Sequence, residues 1–114
     1  MPTVYKIVPA ALWRAAERDR VFHGSQVDLR DGFIHFSTAA QAEETAAKHF
    51  AGQHDLLLVS IDGAALGDAL KWEPSRGGAL FPHLYGALAL SAVRKVEPLP
   101  LGPDGRRRVP PLQA

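Results

Sequence analysis

The sequence predicts an α+β domain, mostly antiparallel sheet with two helices inserted early, on three observations. Short runs rich in aliphatic and β-branched residues recur along the chain. Two stretches of strong helix formers lie in its first half, and glycine or proline punctuates the joins. Strand-like runs that do not alternate regularly with helices argue against a parallel doubly wound sheet.

Taken in order, Thr3 to Val8 (TVYKIV) alternates and carries β-branched residues, so it predicts a first strand, stopped by Pro9. Proline suits the first turn of a helix, and ALWRAAERD follows with Leu12, Trp13 and Ala16 as its inward stripe. FHGSQVDLRDG reads as irregular. DGFIHFST, residues 31 to 38, reads as a strand from Gly32 to Thr38. It leads into TAAQAEETAAKHFAG, where Thr38 and Gln41 have capping-box spacing, Ala42, Ala46 and Phe50 share a face, and Gly52 ends the helix. DLLLVSID is an almost continuous apolar run, the pattern of a central strand covered on both faces. ALKWE predicts a short strand, RGG a loop, and ALALSAVRKVEPL one or two more strands.

At 114 residues the chain predicts one domain over residues 1–98, followed by a Pro/Gly/Arg-rich tail over 99–114. A domain of this size buries roughly two-thirds of the surface its unfolded chain exposes, enough for a single core without staples. There is no cysteine, which excludes disulfides, thiolate nucleophiles and iron–sulfur ligation. Thirteen Lys and Arg against twelve Asp and Glu leave a charge of +1, so no global field draws in bulk nucleic acid or a membrane surface. The one dense basic cluster, Arg106 to Arg108, lies in the tail, whose composition predicts a loosely held segment. The opening MPTVYKIVPA has neither the basic nor the apolar region of a signal peptide, and no apolar run approaches the ~20 residues of a bilayer span. A cytoplasmic location is the expectation.

The chemistry concentrates in two places. If DGFIHFST is extended, Ile34 and Phe36 point to the core while Phe33, His35 and Ser37 point the other way. An imidazole and a hydroxyl on one face, directly before a helix N-cap, suggest a pocket. The second place is KWEPSRGGALFPHLYG, which gathers Trp72, Glu73, Ser75, Arg76, Phe81, His83 and Tyr85 around the Gly77-Gly78 pair. Aromatic planes, a carboxylate, a guanidinium and an imidazole on a glycine-bearing loop are the furnishings of a small-molecule site. Each has a plainer explanation: Trp72 as a core plug, Glu73 and Arg76 as a surface ion pair, Pro82 as a strand-edge marker. The combination favours the pocket, because polar residues on buried strands cost free energy unless partnered or used on a ligand. No metal is expected, since the five histidines lack HxH, HxxxH or a facial carboxylate set. His49 and His54 read as surface residues. If Phe81, His83 and Tyr85 alternate in an extended segment, the imidazoles of His35 and His83 line one cleft from different strands.

YKI near the start, DGFIHFST with its alanine-rich helix, DLLLVSID, KWEPS and FPHLYG together resemble the small bacterial proteins catalogued as domain of unknown function 952, over about Tyr5 to Val96. The resemblance implies an ADP-ribosyltransferase-like fold: two small antiparallel sheets around a cleft, with about two helices packed outside. By strand order Tyr5-Lys6, His35 and His83 would take the three ligand-facing places of that fold. His83 stands where a glutamate commonly orients the ribose, and His35, His83 and Arg76 would suit the handling of a phosphate, as in RNA 2′-phosphate removal. The implied ligand is small and nucleotide-like, with NAD as a candidate substrate. His35 and His83 would bind and polarise it, Tyr5, Trp72 and Tyr85 stack on it, Arg76 or Lys6 meet its phosphates, and Ser37, Thr38, Glu73 and Ser75 line the site. A transferase, a non-catalytic module with the same cleft, and an interaction protein that dimerises through its aromatic face all remain open, as does the oligomeric state.

Overall fold

The computed structural model describes residues 3–112 except Arg106, and of Arg76 only the backbone. In chain order the elements are β1 (Thr3–Pro9), α1 (Ala10–Asp19), β2 (Val21–Phe22), α2 (Gln26–Asp31), β3 (Ile34–His35), α3 (Ala39–His49) and β4 (Leu56–Asp62). β5 (Leu70–Pro74), β6 (Leu80–Leu84), β7 (Leu88–Ala89) and β8 (Val93–Pro98) follow. They form small antiparallel sheets of order β1-β4-β8, β2-β7 and β3-β6-β5. The chain is therefore α+β, with one sheet and one helix more than the sequence predicts. The additions are short: a two-residue strand pair, and α2, whose six residues are too few to show a helical period.

β4 lies in the middle of its sheet and is buried from Leu56 through Ile61, which explains its unbroken apolar run. The register pairs Val8 with Leu57, Lys6 with Val59 and Val4 with Ile61, so these side chains share one face, where Trp13 and Ala16 of α1 join the larger core. Tyr5, Ile7, Leu56 and Leu58 form the other face, covered by Ala46 of α3. Both helices thus seat where their apolar stripes point. α3 starts at Thr38, whose hydroxyl accepts from the Gln41 N–H at 3.3 Å while the Gln41 side chain accepts from the Thr38 N–H at 3.0 Å.

The first and third sheets meet at one bridge. Tyr5 N–H donates to Ser37 O at 2.8 Å and Ser37 N–H donates to Tyr5 O at 2.9 Å. The rest of that edge of β1 has no strand beside it among the described residues, and the space next to it becomes the cleft. The outer edges, β8 and β5, carry Arg94, Lys95, Glu97 and Pro98 on one and Lys71, Glu73 and Pro74 on the other.

The tail is held more firmly than its composition predicts. Leu99 is buried, and its N–H donates to Leu56 O. The Arg107 guanidinium donates to the carbonyls of Leu99, Phe50 and Gln53 at 2.7 to 2.9 Å. Phe50 caps the C-terminus of α3 and its carbonyl also accepts from the Gln53 N–H at 3.1 Å, so this arginine ties the end of the helix and the turn after it to the tail. Long-range hydrogen bonds of this kind leave no mark on local composition.

Candidate functional site

β3 and β6 are in register at Ile34 with Leu84 and His35 with His83. Alternation then sends Ile34 and Leu84 into the core and both imidazoles to the opposite face, with ring centroids 5.4 Å apart. The Phe33 ring stacks on His83 at 4.2 Å and lies tilted against His35 and Tyr85 at 4.6 and 5.2 Å.

Each imidazole is oriented by a carboxylate at Nδ1. For His35 this is Asp28, whose side chain is 1% exposed. Asp28 Oδ1 accepts from the His35 N–H at 3.1 Å and lies 2.6 Å from its Nδ1, while Oδ2 accepts from the Ser25 N–H at 2.8 Å. The Lys6 ammonium, reaching across from β1, sits 2.8 Å from Oδ2. α2 places this carboxylate: Ser25 is its N-cap, and Gly24 at φ +120° lets the backbone pass so close that a Cβ there would fall 2.7 Å from Asp28 Cβ. Burial opposes the Asp28 charge, but the hydrogen bond from His35 and the nearby Lys6 ammonium outweigh it and hold the carboxyl well below the usual range. Burial also lowers the Lys6 pKa, with Asp28 resisting the shift.

The other nitrogen of His35, Nε2, lies 2.9 Å from Asp31 Oδ2. Asp31 accepts from Arg30 Nε at 2.9 Å, and that hydrogen bond, against a partial desolvation and with help from His35, keeps its carboxyl below the ordinary carboxylate value. Since carboxylates only accept, the arrangement is satisfied when both His35 nitrogens carry hydrogens.

His83 is 5% exposed and donates from Nδ1 to Glu73 Oε1 at 2.8 Å. The Tyr85 hydroxyl donates to the same oxygen at 2.8 Å. The His83 hydrogen bond, then that of Tyr85, keeps Glu73 ionised to lower pH than usual, and Glu73 in turn raises the Tyr85 pKa. Among the described residues no hydrogen bond reaches His83 Nε2.

These groups border a cleft of about 680 Å³ bounded by β1, α2, α3 and the imidazole face of the third sheet. Tyr5, Lys6, His35, Ser37, Ser75 and His83 line it. Ser37 Oγ is 3.0 Å from Thr45 Oγ1 of α3. Other expected site residues stand elsewhere. Glu73 holds the His83 imidazole and accepts from Tyr85, whose ring lies beside Phe33, and neither borders the cleft. Thr38 is occupied as the cap of α3. Trp72 pairs with Pro82, which puts its ring on the sheet face opposite His83, 37% exposed, so a stacking role for it in this cleft is corrected. The Arg76 side chain, and with it the expected phosphate contact, lies outside what the structure describes. Asp28 and Asp31 are the residues that sequence reasoning missed; the Ser25-x-x-Asp28 spacing, that of a capping box, was the available signal. Among the described residues no three His, Asp or Glu side chains are grouped to hold a metal, and no helix is long and apolar enough to cross a membrane.

A search of curated proteins found no match. The crystal structure of protein CC0527 from Caulobacter crescentus is similar at 51% identity and a TM-score of 0.89, with 93% of each chain covered. The solution NMR structure of CC0527 is similar at 52% identity and a TM-score of 0.83, covering 93% of this chain and 91% of that one. The family model described as "Protein of unknown function (DUF952)" matches residues 7–96, and the chain belongs to that family.

Proposed function

We propose that the cleft takes a small nucleotide-like ligand, NAD or an ADP-ribose derivative, and that His35 and His83 act at its reacting end in a glycosyl or phosphoryl transfer on an ADP-ribosyltransferase-like fold in the cytoplasm. The observation that carries this reading is the in-register imidazole pair, each ring fixed at Nδ1 by its own carboxylate. Transfer needs a donor for the leaving group and an acceptor for the proton of the incoming one. Two oriented imidazoles supply both, and such acid–base help is worth about 10² to 10⁴ in rate. The cleft volume of about 680 Å³ lies within the range of roughly 300–1,000 Å³ usual for ligand sites. Two sheets stapled at one bridge beside a cleft also suit the fold that the sequence resemblance implies. The chain's own side chains provide the donors and acceptors, and the reading requires no metal.

A second reading, a binding module without turnover, is favoured by Glu73. Its Oε1 is committed to His83 and Tyr85, so it does not take the role of a ribose-orienting glutamate inside the cleft. Calorimetric titration with NAD and ADP-ribose, alongside chromatography for released nicotinamide, separates the readings. Binding with turnover that His83→Ala abolishes supports the enzyme. Saturable binding without product supports the module. No binding of either ligand at millimolar concentration overturns both.

A further inference from the structure

We propose that His35 Nε2 is the centre of an oxyanion subsite and that Asp31 occupies it in the free protein, as an internal stand-in for the phosphate or carboxylate of a ligand. The inference deepens the proposed function by assigning where an anionic group would bind.

The two carboxylates on His35 are unlike each other. Asp28 is sealed, its side chain 1% exposed, and it accepts from Lys6, Ser25 and His35 together. Nothing from solvent can replace it without unpairing a buried ammonium. Asp31 sits at the cleft border on the last residue of α2, its side chain 31% exposed, with one short contact to the ring, 2.9 Å at Nε2. An incoming oxyanion offers Nε2 the same charge-assisted hydrogen bond. The displaced carboxylate has somewhere to go, because Arg30, 72% exposed, already donates to it. Gly32, in the left-handed conformation at φ +87°, follows directly and gives the chain a joint at that point.

A second observation points to a ligand at the same place. His83 is 95% buried by the complement of its 5% exposure, borders the cleft, and has its Nδ1 fixed on Glu73, so Nε2 is the nitrogen left for a ligand. Its ring centroid is 5.4 Å from that of His35. An anion on His35 would therefore stand beside a nitrogen suited to a neighbouring hydroxyl. The class of ligand selected is an oxyanion with a hydroxyl close by, as in a sugar phosphate or a nucleoside phosphate.

The test is calorimetric titration of wild type, Asp31→Asn and Asp31→Asn/His35→Gln with inorganic pyrophosphate and, separately, ADP-ribose. Asparagine keeps the shape and removes the competing charge, so Asp31→Asn is expected to bind pyrophosphate roughly tenfold more tightly than wild type, with the gain lost in the double variant. Thermal melts establish that all three proteins are folded. Should the double variant not fold, the His35 imidazole ¹H–¹⁵N signals of Asp31→Asn replace it, and they must move on addition of pyrophosphate. Pyrophosphate affinity in Asp31→Asn equal to or weaker than wild type overturns the inference, as does a gain that survives loss of His35. If pyrophosphate binding tightens as expected while ADP-ribose binds neither wild type nor Asp31→Asn, the subsite stands and the nucleotide reading falls.

Discussion

Asp28→Asn tests whether the buried carboxylate organises the site. Lys6 and Asp28 are 6% and 1% exposed at the side chain, so the substitution leaves an ammonium inside the protein without its counter-charge. Removing one partner of a buried pair costs about 3–5 kcal/mol. That is a large share of the 5–15 kcal/mol that holds a domain together. The Asn side chain keeps one acceptor oxygen where Asp28 uses two, so at least one of the Ser25 and His35 backbone donors also loses quality. With a urea slope of about 2 kcal/mol per molar, the midpoint should fall by roughly 2 M. Lys6→Met should cost less than Asp28→Asn, since Asp28 would still accept from His35 and two backbone N–H groups. In the Lys6→Met background Asp28→Asn should then cost at most about half as much, because no ammonium is orphaned. The pH dependence has a definite sign. The Asp28 carboxyl titrates lower in the folded protein than unfolded, so its contribution is fully present above about pH 4 and is lost as pH falls toward the folded value. Urea melts of the four proteins at neutral pH, repeated for wild type at pH 3, decide the matter. A midpoint for Asp28→Asn within about 0.3 M of wild type, or an equal cost in both backgrounds, would refute the reasoning.

Two further outcomes follow from the structure. Arg107→Ala removes donors to the carbonyls of Phe50 and Gln53 beyond the end of α3 and of Leu99 in the tail, and should lower stability by about 1–3 kcal/mol, with faster amide exchange confined to the last turn of α3 and residues 99–101; unchanged exchange there would show that the tail contributes nothing to the helix. Gly24→Ala places a Cβ against Asp28 at positive φ and should destabilise by about 1–3 kcal/mol while shifting the His35 imidazole resonances, whereas a stable variant with unmoved resonances would mean that the loop before α2 yields freely.

The legible parts of the fold were those whose neighbours in sequence are also their reason for being where they are. TVYKIV and DLLLVSID announce buried strands by apolar content, and Thr38 with Gln41 announces the start of α3. The His35 face could be read from alternation alone. Its pairing with His83 depends on register between segments nearly fifty residues apart, which no local pattern encodes. α2 escaped notice because its two apolar residues, Val27 and Leu29, stand two apart, which is no helical spacing, and are exposed, while the residue it buries is Asp28. Trp72 misled for the converse reason. Its neighbours Glu73 and Ser75 share a short span with it, but a one-residue step along a strand reverses the face. The Arg107 contacts run to Phe50 and Gln53, more than fifty residues away, so a tail rich in proline and glycine could not disclose its anchor.

The charged and proline-bearing outer strands also bear on how the molecule lives among copies of itself. A sheet edge offers a row of unpaired amides and carbonyls on which another chain can add as a further strand. On β8 an approaching chain meets Arg94, Lys95 and Glu97, with Pro98 missing the donor that the ladder would require, and on β5 it meets Lys71 and Pro74. Lysine side chains there must be stripped of water before strands can join, and each proline interrupts the joining. The small sheets that frame the cleft therefore end in strands that discourage amyloid-like stacking.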